Sequence, residues 1–195
     1  MKVKICGITN REDAAMCEDL GADALGFVHF PGRARSRTLS EIADMCSSIG
    51  SLTAKVLICA PTSVTEALSM LYQSGADGLQ LYSLEPEETR TLKMSGASVM
   101  RVVKPDRMEA VRFSYAVDAI VFENGKPGTG STYDYSKVPI DSCSRAIIAG
   151  GLNLDTLGSA KQMRPYGLDV SSGVERVQGK KDAALVSEFI RRSKE

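Results

Sequence analysis

Histidine is nearly absent from this chain, with His29 the single one. The five cysteines, Cys6, Cys17, Cys46, Cys59 and Cys143, are odd in number, scattered, and form no C-x-x-C pair. That composition supplies no metal-ligand cluster, so neither a metal nor a redox cofactor is expected, and the thiols read as reduced. Net charge is missing as well: 24 Lys and Arg balance 24 Asp and Glu. A neutral chain has no basic field for nucleic acid or an anionic membrane surface. No apolar run approaches the roughly 18 residues of a membrane span, and the first residues hold no signal-peptide-like apolar stretch. A cytoplasmic protein acting on a small molecule is expected. Pro-, Gly- or Ser-rich linkers and low-complexity tracts are also lacking, so residues 1–195 read as one domain.

What is present is an alternation of strand and helix patterns from end to end. At 195 residues and 43% hydrophobic the chain can bury one sizeable core. Short apolar strands are expected at Val3–Cys6, Ala24–Val28, Lys55–Cys59, Leu79–Leu81, Val99–Val103, Ala119–Phe122, Arg145–Ala149 and Leu168–Val170. Amphipathic helices separate most of them; the first begins with capping-box spacing at Thr9-Asn10-Arg11-Glu12. A small repeat marks the helix-to-strand turns. Gly21-Ala22-Asp23-Ala24-Leu25 returns as Gly75-Ala76-Asp77-Gly78-Leu79, loosely as Gly96-Ala97-Ser98, and without the glycine at Val117-Asp118-Ala119. Eight near-continuously apolar strands, each led in by such a turn, imply a parallel sheet under helices, closed as a compact (β/α)8 TIM barrel. A doubly wound sheet would want Gly-x-Gly-x-x-Gly after strand one, where Cys6-Gly7-Ile8-Thr9 stands.

In such a barrel the chemistry sits in the turns after the strands. Asp169-Val170-Ser171-Ser172-Gly173 ends strand eight with one acid, two hydroxyls and an open backbone turn. Period-two geometry puts Asp169 and Ser171 on one face. The stretch reads either as a phosphate-ester pocket or as an ordinary Ser-Gly turn. Two more glycine-rich turns share that side of the barrel mouth: Gly125-Lys126-Pro127-Gly128-Thr129-Gly130 after strand six, and Gly150-Gly151-Leu152-Asn153 after strand seven.

The motifs Lys4-Ile5-Cys6-Gly7-Ile8-Thr9, Gly128-Thr129-Gly130 with Asp134-Tyr135, Ala149-Gly150-Gly151-Leu152-Asn153 and Asp169-Val170-Ser171-Ser172-Gly173-Val174-Glu175 follow one another in order, with Gly179-Lys180-Lys181-Asp182 behind. From residue 2 to about 190 the chain closely resembles the phosphoribosylanthranilate isomerase family of tryptophan biosynthesis. The resemblance implies an Amadori rearrangement of an aminated phosphoribose by general acid and base, with no cofactor. It implies Cys6 as the base, which needs thiolate character that a cationic neighbourhood could supply. Glu123 stands where the family has its aspartate acid. Arg37 matches the carboxylate-binding arginine, leaving Arg33 and Arg35 as solvated loop charges. The same resemblance implies that Asp169 holds ribose hydroxyls and that Gly128, Gly150, Gly151, Ser171, Ser172 and Gly173 contact the phosphate. His29 is read as a strand-end histidine with a satisfied hydrogen bond, and a monomer or weak homodimer is expected. This chain departs from the family at strand four, where Leu81-Tyr82-Ser83 replaces Leu-His-Gly, and at Glu123. A bifunctional histidine- and tryptophan-pathway isomerase, and a sugar-phosphate-binding barrel without catalysis, stay open beside the leading reading.

Overall fold

Eight parallel strands close on themselves in sequential order, β1 pairing with β8 through Lys4 opposite Asp169. The computed structural model describes residues 1–124 and 132–195. The strands are β1 (Lys2–Cys6), β2 (Ala24–Val28), β3 (Ala54–Cys59), β4 (Gly78–Leu81), β5 (Ser98–Val103), β6 (Ala119–Phe122), β7 (Ala146–Ala149) and β8 (Gly167–Val170). Helices α1 (Arg11–Asp19), α2 (Leu39–Cys46), α3 (Val64–Ser74), α4 (Pro86–Met94), α5 (Arg107–Ser114), α6 (Leu157–Gln162) and α7 (Ala183–Lys194) lie outside them. The expected barrel is the observed one.

Strand alternation sorts the side chains into two cores. Val3, Ile5, Leu25, Phe27, Leu57, Leu79, Ile120, Phe122 and Leu168 point outward and are buried under the helices. Inside the barrel, Val102, Ala119, Val121, Ile147 and Ala149 form a smaller apolar cluster, contributed by β5, β6 and β7 alone. On the other side of the lumen β1, β4 and β8 contribute Lys4, Gln80 and Asp169, all buried. The three buried polar side chains lie among apolar ones from β3, Val56 and Ile58, and they mark where the site is built.

The Gly-Ala-Asp repeat has a structural cause. Gly75 takes a left-handed φ of 62° as it caps α3, and Gly21 and Gly96 turn the chain in the same way. The acid that follows ties neighbouring strands together at their starts. Asp23 accepts the N–H of Val3, Asp77 that of Lys55, and Asp118 that of Val99, each at 2.8–2.9 Å. A first N–H that would otherwise face solvent at the barrel floor is thereby satisfied.

Three expectations need correction. The cap of α1 is Asn10, whose side chain accepts from Asp13 N; the Thr9 hydroxyl instead donates to the carbonyl of Gly179. The segment between β6 and β7 holds two short 3₁₀ turns, Tyr135–Lys137 and Ile140–Ser142, and no α-helix among the described residues. After β8 the chain makes an unforeseen hairpin of β9 (Glu175–Val177) and β10 (Lys180–Lys181) before α7.

Candidate active site

A cavity of about 520 Å³ opens at the C-terminal ends of the strands, a size typical of a small-molecule site. Cys6, Arg35, Tyr82, Glu123, Asp169 and Ser171 all line it.

The base candidate enters from β1. Lys4 lies one pleat below Cys6, and its Nζ is 2.8 Å from Asp169 Oδ2, with both side chains about 5% exposed. A Cβ built on Gly26 of β2 would sit 3.0 Å from Lys4 Nζ and 3.1 Å from Cys6 Sγ, so ammonium and thiol meet at a place only glycine leaves free. Burial pushes the Cys6 thiol up, and Asp169 adds to that; Lys4 and Lys181 pull it down. The cationic neighbourhood is present, but burial wins and the thiol ends above its ordinary value. Burial alone would lower Lys4, yet Asp169 and Cys6 outweigh it and keep the ammonium charged.

The acid candidate enters from the end of β6. Glu123 packs its Cγ beneath Gly150, whose φ of 85° suits glycine and where a Cβ would lie 3.4 Å from that Cγ. Burial raises the Glu123 carboxyl above its ordinary value and Asp169 adds to the rise; the Tyr82 hydroxyl, which donates to Oε2 at 2.6 Å, and Lys4 oppose it. A raised carboxyl is what a general acid requires. Asp169 spends Oδ2 on Lys4, while its buried Oδ1 has no hydrogen-bond partner among the described residues.

Gly150, Gly151, Ser171 and Ser172 border the cavity together. Gly128 lies outside the described residues. Gly173 does not line the cavity; it is the packing point beneath it. A Cβ there would collide with the carbonyl oxygen of Leu152 and come within 2.9 Å of Asn153 Cα, so the turns after β7 and β8 touch backbone to backbone. Gly173→Ala must part them. It is expected to cost about 3 kcal/mol, which lowers Tm by roughly 6–12 °C for a domain of this size and raises KM as the two turns separate. Calorimetry against the parent checks it; an unchanged Tm refutes the close approach.

Arg37, expected at the substrate carboxylate, lies on the loop between β2 and α2. Its guanidinium donates to the backbone carbonyls of Thr9 and Ser36, and it does not border the cavity. Arg35, expected to be a solvated charge, lines the cavity, as does Arg33, and the Arg35 side chain is only 11% exposed. Its Nε and Nη2 donate to the two oxygens of Glu175 at 2.8 and 2.7 Å. The physical reason is a turn from Phe30 to Ser36, which breaks the strand-like alternation that would have put residues 35 and 37 on one face. Glu175 also receives Lys181 at 2.9 Å, and Lys181 donates to the carbonyls of Cys6 and Ser171. Burial alone would raise Glu175, but Arg35 and Lys181 hold it below its ordinary value. Sequence reasoning assigned neither Glu175 nor Lys181 a role. The β9–β10 hairpin that brings them together is too short to show a period. His29 behaves as expected: Nδ1 meets the Arg37 carbonyl at 2.8 Å, away from the cavity.

Residues 3–192 match the family model described as N-(5'phosphoribosyl)anthranilate (PRA) isomerase. Among curated relatives, the N-(5'-phosphoribosyl)anthranilate isomerase of Pelobacter propionicus is 37% identical, covering 100% of this chain and 96% of that protein. That of Pseudomonas putida is 34% identical, covering 100% and 98%. Among solved structures, the Thermus thermophilus phosphoribosyl anthranilate isomerase superposes with a TM-score of 0.89 at 31% identity, covering 100% of this chain and 99% of that one. A phosphoribosyl anthranilate isomerase in complex with reduced 1-(o-carboxyphenylamino)-1-deoxyribulose 5-phosphate gives 0.88 at 29% identity, covering 100% and 98%. The barrel, its cavity and these full-length similarities lead to one conclusion: the chain belongs to the N-(5'-phosphoribosyl)anthranilate isomerase family.

Proposed function

We propose that this chain isomerises N-(5'-phosphoribosyl)anthranilate to 1-(2-carboxyphenylamino)-1-deoxyribulose 5-phosphate, with Glu123 as general acid and Cys6 as general base. The observation that carries this reading is that both groups enter one cavity from different strands, with the Lys4–Asp169 pair beside them. Glu123 gives its proton to the furanose ring oxygen as the bond from that oxygen to C1' breaks. The nitrogen lone pair forms the C1'–N iminium. Cys6, as thiolate, then takes the proton from C2', and the C–H electron pair becomes the C1'–C2' double bond of the enolamine. Protonation at C1' and loss of the O2' proton give the ketone. The product is an isomer, so no electrons enter or leave.

The remaining groups bind. Asp169 Oδ1, free of protein partners among the described residues, accepts from a ribose hydroxyl. The turn glycines Gly150 and Gly151, with Ser171 and Ser172, hold the phosphate. Arg35, which spends only two of its five N–H donors on Glu175, is the carboxylate clamp in place of Arg37. All five cysteines are free thiols, in keeping with a cytoplasmic location.

The test is consumption of phosphoribosylanthranilate followed by its fluorescence. Turnover is expected in the parent. Arg35→Lys should raise KM by about tenfold, because an ammonium cannot reproduce the planar fork, while Arg37→Lys should leave KM within about threefold. No turnover in the parent would favour a barrel that only binds sugar phosphates, and the reverse order of the two arginines would restore Arg37 to the site.

A further inference from the structure

The residue that departs from the family pattern at the end of β4 touches the residue that departs from it at the end of β6. Tyr82 Oη donates to Glu123 Oε2 at 2.6 Å, and both border the cavity. We propose that Tyr82 is a positioning residue for Glu123, holding one carboxylate oxygen so that the other, Oε1, faces the substrate's ring oxygen. The proposal rests on the reading of Glu123 as the general acid.

Three contacts make Tyr82 a rigid support. The ring of Phe30 meets it edge-on, with centroids 5.5 Å apart and planes at 87°. The backbone on either side is pinned by Arg101, whose Nη1 donates to the carbonyls of Leu81 at 3.3 Å and Ser83 at 2.7 Å. Arg101 is itself partly buried, with its guanidinium 4.7 Å from the centroid of the Phe113 ring. Ser83 Oγ adds a bond to the Pro61 carbonyl at 2.6 Å, and Leu84 turns the chain away at a φ of 71°. A tyrosine so fixed can set the direction of a longer, more flexible carboxylate.

Chain length explains the pairing. Glutamate has one rotatable bond more than aspartate, and without a fixed partner its carboxyl would sample several positions at the mouth. The hydroxyl at 2.6 Å selects one of them. An aspartate at position 123, withdrawn by roughly an ångström, would leave that hydroxyl without its partner.

The titratable groups facing Glu123 set its protonation together. Lys4 approaches from β1, Asp169 from β8, Tyr133 from the segment before the first 3₁₀ turn, and Tyr82 from just past β4, while Cys6 borders the same cavity. Tyr82 is the group that donates a hydrogen bond to the carboxylate. Removing the hydroxyl therefore raises the carboxyl further above its ordinary value.

The test is Tyr82→Phe, which keeps the ring against Phe30 and deletes one oxygen. kcat is expected to fall about ten- to a hundredfold while KM stays within about threefold. The Glu123 carboxylic C=O stretch, titrated in infrared difference spectra against Glu123→Gln, should persist to higher pH than in the parent. In a Glu123→Asp background the same substitution should cost less than about twofold, because the bond is already lost. Parent-like turnover with an unmoved titration overturns the proposal, and so does an equal loss in both backgrounds. If Glu123→Gln itself keeps parent turnover, the acid assignment fails and the proposal falls with it. If that variant is dead and Tyr82→Phe is parent-like, only the proposal fails.

Discussion

Replacing Cys6 by alanine is expected to lower kcat by about two to four powers of ten and to change KM by less than about threefold. Cys6 is the group on β1 able to take a proton at the cavity; Lys4, one pleat below, is a buried ammonium already committed to Asp169 at 2.8 Å. Alanine removes the thiol without adding bulk, so the phosphate turns and Arg35 keep their places. Single-turnover rates separate this from a binding defect, since a lost base slows the chemical step and leaves saturation intact. Near-parent turnover would take Cys6 out of the mechanism and leave its raised thiol as a half-buried cysteine without a role.

The thiol's position also explains why the surrounding ion pairs are arranged as they are. A buried thiol ionises poorly unless positive charge stands near it. Lys4 supplies one charge, and Lys181 supplies another through the same pocket wall, where its ammonium donates to the Cys6 carbonyl. Lys181 is itself held by Glu175, which also receives Arg35. A chain of alternating charges thus runs from the base to the arginine that faces the cavity. Asp169 tempers it, because its carboxylate opposes ionisation of Cys6 while fixing Lys4.

Much of this was legible in the residues, and what was not has specific causes. Asp169 and Ser171 share a face because strand periodicity is two, and both border the cavity. The Gly-Ala-Asp repeat marked the helix-to-strand turns correctly because glycine and a capping acid are each required there locally. Arg35 and Arg37 could not be separated, since a turn within the loop decides which one enters and no short-range signal encodes its direction. Glu175 and Lys181 were invisible for a related reason: their partners, Arg35 and Cys6, are more than 130 residues away in sequence. Tyr82 and Glu123 each stood out as a departure, but only the closed barrel brings β4 and β6 near enough for the two to bond. Local rules find elements, whereas the site is assembled by closure.

Glu123→Gln is expected to lower kcat at least about a hundredfold and to remove the alkaline limb of the kcat/KM profile. In the proposed mechanism productive enzyme carries one negative charge on this pair, as Cys6 thiolate with Glu123 carboxylic acid. The same net charge can sit the other way, as thiol with carboxylate. Burial raises both groups, but with opposite consequences. Each unit by which Glu123 rises favours the productive arrangement about tenfold, and each unit by which Cys6 rises disfavours it about tenfold. Below the Glu123 pKa the pair gains a second proton, the thiolate form disappears, and kcat/KM falls with pH; above the Cys6 pKa the acid is ionised and it falls again. A neutral amide has no proton to lose, so residual activity in Glu123→Gln should rise with pH up to the Cys6 pKa and stay flat above it. Asp169→Asn makes a different change, since it frees Lys4 from its partner and removes the ribose contact, and it should raise KM as well as lower kcat. If Glu123→Gln turns over like the parent with its alkaline limb intact while Asp169→Asn is dead, the proton donor is on β8 and not on β6.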